Sequence, residues 1–205
     1  MKTVTKRTVI VILTVVFAAI WFIRYITLND GLRINHKFEQ AFFEKGETVA
    51  FGDNMSVGSQ YHKGFSIVAE DCRIYDSDAY MEMLGKSGDD FDLMIPEKVV
   101  ELTVTLHNHG EQIEPMLFSS LELVGDDWYE FVHREFTGYA NDVYEGNTDN
   151  AYGIQIKPGK QCTLKIIYSL SPRGRTDAQW SKIESANMYL EITLRPVNQF
   201  IKVNG

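Results

Sequence analysis

His107 and His109 stand two apart at the end of an alternating apolar stretch, which puts both imidazoles on one face of an extended chain. Two nitrogen donors at that spacing begin a zinc or copper site, but a third ligand has to come from elsewhere in the fold. Without one, the pair reads as a solvated turn. His36, His62 and His133 are scattered along the rest of the chain. Cys72 and Cys162 are the two thiols, and neither has a histidine close in sequence to activate it as a nucleophile. The chain contains no Gly-x-Ser-x-Gly elbow and no glycine-rich phosphate loop. With no arrangement of acid, base and nucleophile in view, the expectation is a noncatalytic protein with no cofactor and no resident metal.

Carboxylates cluster at Asp76-x-Asp78, Asp89-Asp90-x-Asp92, Asp126-Asp127 and Asn147-x-Asp149-Asn150. These are hard oxygen donors of the kind calcium takes, yet none has the glycine and terminal glutamate of a calcium loop, so they read as solvated turns. Aromatic residues are dense between 128 and 144: Trp128, Tyr129, Phe131, Phe136, Tyr139 and Tyr144. Trp128 and Phe131 cannot share a face of a regular strand, so at least one is expected at the surface. From 138 to 150 the chain has no period and reads as a long loop, the usual place for recognition on a rigid scaffold. The candidate binding residues are therefore Trp128, Tyr139, Asp142, Tyr144, Asp149 and Tyr152.

Strands must position these groups. Val100, Leu102, Val104 and Leu106 alternate with Glu101, Thr103 and Thr105, and the same period of two returns over 162–170 and 188–194. Weaker strand signals cover 48–51, 65–75, 116–124, 128–133, 152–156 and 199–203. Gly125-Asp126-Asp127 and Lys157-Pro158-Gly159-Lys160 are turn sequences between them. Two short helices are expected, at 35–45 with Phe38, Ala41 and Phe42 on one side, and at 78–84 ahead of Gly85. The fold class is thus mainly β: an antiparallel immunoglobulin-like β-sandwich.

The chain opens differently. Lys2, Lys6 and Arg7 precede an apolar run from 9 to 23 that holds one hydroxyl, Thr14, and no charge. A basic flank before such a run directs export and keeps the amino end cytoplasmic. No small-x-small cleavage site follows it, and with Arg24 snorkelling and Tyr25 at the interface the span reaches from about Thr8 to Leu28, enough to cross as an N-terminal transmembrane helix. The expected organisation is a cytoplasmic stub and signal anchor over 1–28, a stalk over 29–46 and an extracellular β-sandwich over 47–205. The first 28 positions carry four of the 20 basic residues and none of the 28 acidic ones, leaving the exported part with a net charge of −12. Such a surface repels phosphate backbones, which argues against nucleic acid as a partner. Outside the cell, Cys72 and Cys162 either pair as a disulfide or stay as two buried thiols, and the sequence leaves both open.

Gly46-Glu47-Thr48-Val49, the glycine-led strand from Gly64, the segment ending Asn108-His109-Gly110, the Pro158-Gly159-Lys160 turn and Tyr189-Leu190-Glu191-Ile192 together carry a resemblance. On them the chain resembles membrane-anchored, extracytoplasmic proteins of Firmicutes assigned to a domain family of unknown function and, more distantly, telokin-like secreted domains with an immunoglobulin-like sandwich. The resemblance implies a bacterial cell-surface sandwich without known catalytic residues. It transfers no functional residue. The expected function is a noncatalytic, membrane-tethered module that binds a surface protein or cell-wall component; the alternatives are an accessory subunit of a transporter or envelope complex, and an extracellular enzyme, for which no acid, base or nucleophile is in view.

Overall fold

The computed structural model describes residues 6–29, 39–56, 60–111, 115–117, 120–126, 128–141 and 153–204; within these, the side chains of 6–10, 26–29 and 60 are left aside. The chain divides into two compact units, Met1–Lys37 and Phe38–Gly205. The first contains one helix, α1 (Lys6–Asn29, 24 residues). Its apolar side chains from Val11 to Tyr25 are exposed on every side. Among the described residues no helix is long and apolar enough to cross a membrane.

The second unit is a sandwich of two sheets. One has four strands: β2 (Val49–Ala50), β5 (Phe65–Asp76), β6 (Lys98–Asn108) and β11 (Gln161–Leu170), in the order β11-β6-β5-β2 and antiparallel throughout. The other has five: β1 (Glu39–Phe43), β8 (Glu122–Val124), β9 (Tyr129–Glu130), β12 (Tyr189–Thr193) and β13 (Val197–Lys202), in the order β1-β13-β12-β8-β9. Two further two-stranded antiparallel sheets pair β3 (Met55–Ser56) with β4 (Gln60–Tyr61) and β7 (Pro115–Leu117) with β10 (Gly153–Gln155). The alternation read from the sequence decides which side chains meet. Leu102, Val104, Leu106, Ile166 and Tyr168 from one sheet and Leu123, Leu190, Ile192 and Ile201 from the other form one buried cluster. Each such side chain removed from water contributes about 2 kcal/mol.

Three sequence expectations are corrected here. The stretch expected as a stalk helix is strand β1, paired parallel with β13 so that Phe42 lies opposite Phe200 and Phe43 opposite Ile201. Phe43 packs on the core while Phe42 is exposed, a period of two that the helical reading missed. The sandwich therefore begins before residue 47 and is not wholly antiparallel. The single strand expected over 116–124 is two, β7 and β8, belonging to different sheets. Ahead of the expected long loop a helix intervenes, α3 (Arg134–Ala140), whereas α2 (Ser77–Met83) falls close to the helix expected at 78–84.

These two helices pack on the four-stranded sheet's outer face. Tyr80 and Met81 from α2 and Phe136 from α3 join Val99 and Ile167 in a second buried cluster. Beneath it Glu101, on the sheet's outer face, takes a hydrogen bond from Tyr80 Oη at 2.7 Å and pairs with Lys165 Nζ at 3.0 Å. α3 also covers the free edge of β11. Asn141 accepts from Lys165 N at 2.9 Å and donates to Lys165 O at 2.7 Å, and Thr137 Oγ1 accepts from Ile167 N at 3.0 Å. An edge with its amides and carbonyls occupied is closed to pairing with another chain.

Both cysteines are free. Cys72 lies opposite Leu102 and Cys162 opposite Leu106, on strands either side of β6. Four residues of strand rise, about 13 Å, and two strand spacings, about 10 Å, separate them. A disulfide needs Cα atoms within about 7 Å, so the bridge left open by the sequence does not form. Burial pushes the Cys72 thiol up to about 11. Unreduced, denatured protein is expected to take up two alkyl groups per chain by mass spectrometry, and Cys72 should alkylate slowly in the native state; a chain that takes up none until reduced would contradict this.

Candidate functional site

The five-stranded sheet has a second face, turned away from the core, and the register brings its side chains into rows. Residues paired across strands point to the same side, so Phe42, Phe200, Glu191 and Glu122 form one row across β1, β13, β12 and β8. Lys202, Tyr189, Val124 and Tyr129 form the next, from β13 to β9. Phe131, two beyond Tyr129, packs edge-on against it with ring centroids 5.4 Å apart. At the other edge Phe42 stacks on Phe200 at 5.2 Å, and Tyr189 meets Phe42 edge-on at 5.7 Å. Phe42, Tyr129 and Phe131 are each more than half exposed. A sheet that needs only one apolar face to pack carries aromatic residues on both.

Between the two aromatic groups lie Glu122 and Glu191, directly opposite one another. Glu191 is 8% exposed, and its Oε1 accepts from Asn198 Nδ2 at 2.9 Å. Burial holds the Glu191 carboxyl above the usual carboxylate range, opposed in part by that amide. Glu122 is raised by burial first and then by the charge on Glu191. Asn198 Oδ1, on the same face, is buried without a hydrogen-bond partner. Both carboxyls hold protons more readily in the folded chain, so their cost to stability is absent in acid and sets in as pH rises through and above the ordinary carboxylate range. Glu122→Gln is expected to raise stability by about 0.5 kcal/mol at pH 7.5 and to change nothing at pH 4 by urea denaturation; a loss of stability at pH 7.5 would contradict the repulsion.

Of the six residues expected from sequence to form a binding loop, the structure describes two, Trp128 and Tyr139. Asp142, Tyr144, Asp149 and Tyr152 lie outside the described residues. Trp128 packs against the core beneath Arg175, whose guanidinium carbon sits 5.2 Å from its ring. The hairpin expected at Gly125-Asp126-Asp127 is present, closed by Gly125 N donating to Trp128 O at 2.8 Å. Tyr139, on α3, donates to Asp90 O at 2.7 Å, packs on Phe91 at 5.3 Å and lies under Lys86 Nζ at 4.3 Å. It holds the loop after α2 to α3. Glu135 ties down the same loop, its two oxygens each accepting at 2.9 Å from Asp92 N and Leu93 N. Glu135→Ala is expected to cost about 2 kcal/mol and to speed amide exchange at 92 and 93 more than tenfold; unchanged exchange there would contradict the tether.

The metal candidates resolve as follows. His107 and His109 rings lie 3.9 Å apart, and His109 Nε2 shares a hydrogen bond with Ser66 Oγ at 2.8 Å. Asp76 pairs with Lys98, and Asp90 accepts from Ser87 N at 2.7 Å, which lowers its carboxyl. Among the described residues no three histidine, cysteine or carboxylate side chains come together as a metal would need. His62 and His133 are buried and shifted toward the neutral form by that burial; His62 is bonded to Ser120 Oγ at 3.1 Å between the edges of Phe51 and Phe65.

No curated protein matches the chain. Among solved structures, it is similar to the yjhA protein from Bacillus subtilis, with 13% identity over 79% of this chain and 99% of the other at a TM-score of 0.40. It is also similar to an uncharacterized β-sandwich protein from Clostridium difficile 630, with 11% identity over 81% and 97% at 0.41. A conserved hypothetical protein from Bacillus anthracis shows 17% identity over 70% and 89% at 0.39. Residues 40–199 match a family described as a domain of unknown function, DUF5028, and the chain belongs to that family.

Proposed function

We propose that this protein is a noncatalytic, membrane-tethered extracytoplasmic binding module that recognises its ligand through the outer face of the five-stranded sheet. The observation that carries the reading is the pair of aromatic groups on the sheet's outer face, exposed Phe42 stacked on buried Phe200 beside half-buried Tyr189, and exposed Tyr129 with Phe131, flanking the half-buried Glu122 and the buried Glu191. Aromatic side chains with little rotamer freedom lose little entropy on binding, and regular strands hold them at fixed spacing.

The tether is supported by α1. Its 24 residues at a rise of 1.5 Å make about 36 Å of helix, and a helix apolar on all sides finds no water-facing orientation. Trp21 and Tyr25 stack at 5.5 Å near its carboxyl end, suited to the interfacial belt. A distant immunoglobulin-like kinship rests on the two face-to-face sheets and on the pairing of the sandwich's first strand with its last.

The test is in-cell crosslinking and affinity capture of the full chain beside a version in which a foreign anchor replaces residues 1–28, with fractionation of both. The expected result is membrane-bound protein that captures the same ligand with either anchor. A ligand lost with the native helix would make the protein an accessory subunit of a membrane complex, and full-length protein in the soluble fraction would remove the tether.

A further inference from the structure

The outer sheet face is supplied with acceptors and is short of donors. Glu122 and Glu191 face each other across β8 and β12, where paired Cβ atoms lie about 5 Å apart and like charges repel. Among the described residues neither carboxylate has an ion-pair partner; the cation on this face, Lys202, stands opposite Tyr189 in the neighbouring row. Asn198 Oδ1, beside Glu191, is a buried acceptor with nothing donating to it. An unpaired acceptor of this kind costs about 1–3 kcal/mol. The rings around the carboxylates add electron-rich π faces, which attract cations within about 6 Å. A neutral sugar would find stacking surface here but would leave the carboxylate repulsion in place, and an anion would be repelled. The chain's net charge of −8 steers in the same direction.

We propose that this face binds a basic peptide segment, seating a lysine ammonium or arginine guanidinium over Glu122 and Glu191 and against Phe42 and Tyr189. The inference rests on the outer-face reading above and names its ligand class. Cation binding favours the ionised carboxylates, which are raised in the free protein, so it releases protons and strengthens as pH rises from 5 to 7.5. The ionisable groups on the face are Glu122, Glu191, Tyr189, Tyr129 and Lys202; β1 contributes Gln40 and Phe42, which do not titrate in this range.

The experiment uses the full chain in lipid nanodiscs and follows the fluorescence anisotropy of a labelled lysine-rich octapeptide, with neutral and aspartate-rich octapeptides and a neutral oligosaccharide as competitors. The double variant Glu122→Gln/Glu191→Gln should weaken lysine-peptide binding at least tenfold and Phe42→Ala about fivefold. The charge-matched control Asp78→Asn/Asp89→Asn should leave it unchanged, and binding at pH 5 should be several-fold weaker than at pH 7.5. The glutamine variants remove a repulsion, so they are expected to fold at least as stably as the parent. Equal weakening by the control pair would overturn the proposal in favour of a diffuse acidic surface. If Phe42→Ala weakens binding of the neutral oligosaccharide while the lysine peptide does not bind, the face is a binding surface and the cation inference fails. If Phe42→Ala alters the binding of no probe, both fail.

Discussion

Phe136→Ala is expected to lower the unfolding free energy by about 4 kcal/mol and to loosen α2 and α3 without dissolving the sandwich. Phe136 is fully buried, with ring centroids of Phe91, His133 and Tyr80 at 4.5, 4.8 and 5.7 Å. Three aromatic neighbours contributed by three different elements cannot all move into the space of a lost ring, so the cavity persists. The main core, assembled from the inner faces of both sheets, does not include Phe136. Amide exchange should therefore rise in α3 and the loop tied to it while the central pairs of β6 stay protected. A uniform rise across both sheets would show that cap and sandwich unfold as one, contradicting the separation of the two clusters.

Lys165→Met should cost about 2–3 kcal/mol at pH 7.5. Glu101 is 6% exposed, and Lys165 is its one cationic partner among the described residues. Removing the ammonium leaves a buried carboxylate held by Tyr80 Oη alone, and uncompensated buried charge is the expensive case. The lower end of the usual range applies because Lys165 is itself 43% exposed and its charge is partly screened. Burial, followed by the carboxylate beside it, pushes the Tyr80 phenol well above its ordinary value, so it stays a donor throughout the working range. One measurement by chemical denaturation checks this: Glu101→Gln/Lys165→Met should be more stable than Lys165→Met alone at pH 7.5. A loss not rescued by the second change would mean that Lys165 contributes through its methylene packing instead.

These results bear on function because they assign the helical cap to structure. Its aromatic residues, including Tyr139, are occupied in holding α2, α3 and the loop between β5 and β6 to one sheet. The other sheet carries no such cap among the described residues.

The long strands were legible because their alternation is local. Val100, Leu102, Val104 and Leu106 declare an inner face without knowledge of their partners, and β6 and β11 extend only a residue or two beyond the expected limits. β1 was not legible. Its pairing with β13 joins the two ends of the sandwich, and the spacing of Phe38, Ala41 and Phe42 is that of a helix face. Helix α3 was hidden by Gly138 in its interior and by an N-cap, His133, outside the usual capping set. The split between β7 and β8 turns on Ser120, whose hydroxyl donates to Leu117 O at 2.6 Å to turn the chain from one sheet toward the other. The recognition face was the least visible part. Phe42, Glu122, Tyr189, Glu191 and Phe200 come from four strands up to 158 positions apart in sequence, and only the register brings them into rows. One part was accessible from sequence: Trp128 and Phe131 cannot share a face, and Phe131 is the exposed one.

The most direct test of the outer-face account is in-cell photocrosslinking of the full-length protein with a photoreactive phenylalanine in place of Tyr129 and, separately, in place of Met83 on the helical cap. Both positions are about equally exposed, at 60% and 61%, so surface accessibility alone predicts equal yields. Recognition through the five-stranded sheet predicts a discrete adduct from position 129, abolished by Phe42→Ala, and none from position 83. An adduct from position 83 with none from 129 would place recognition on the capped sheet and contradict the account.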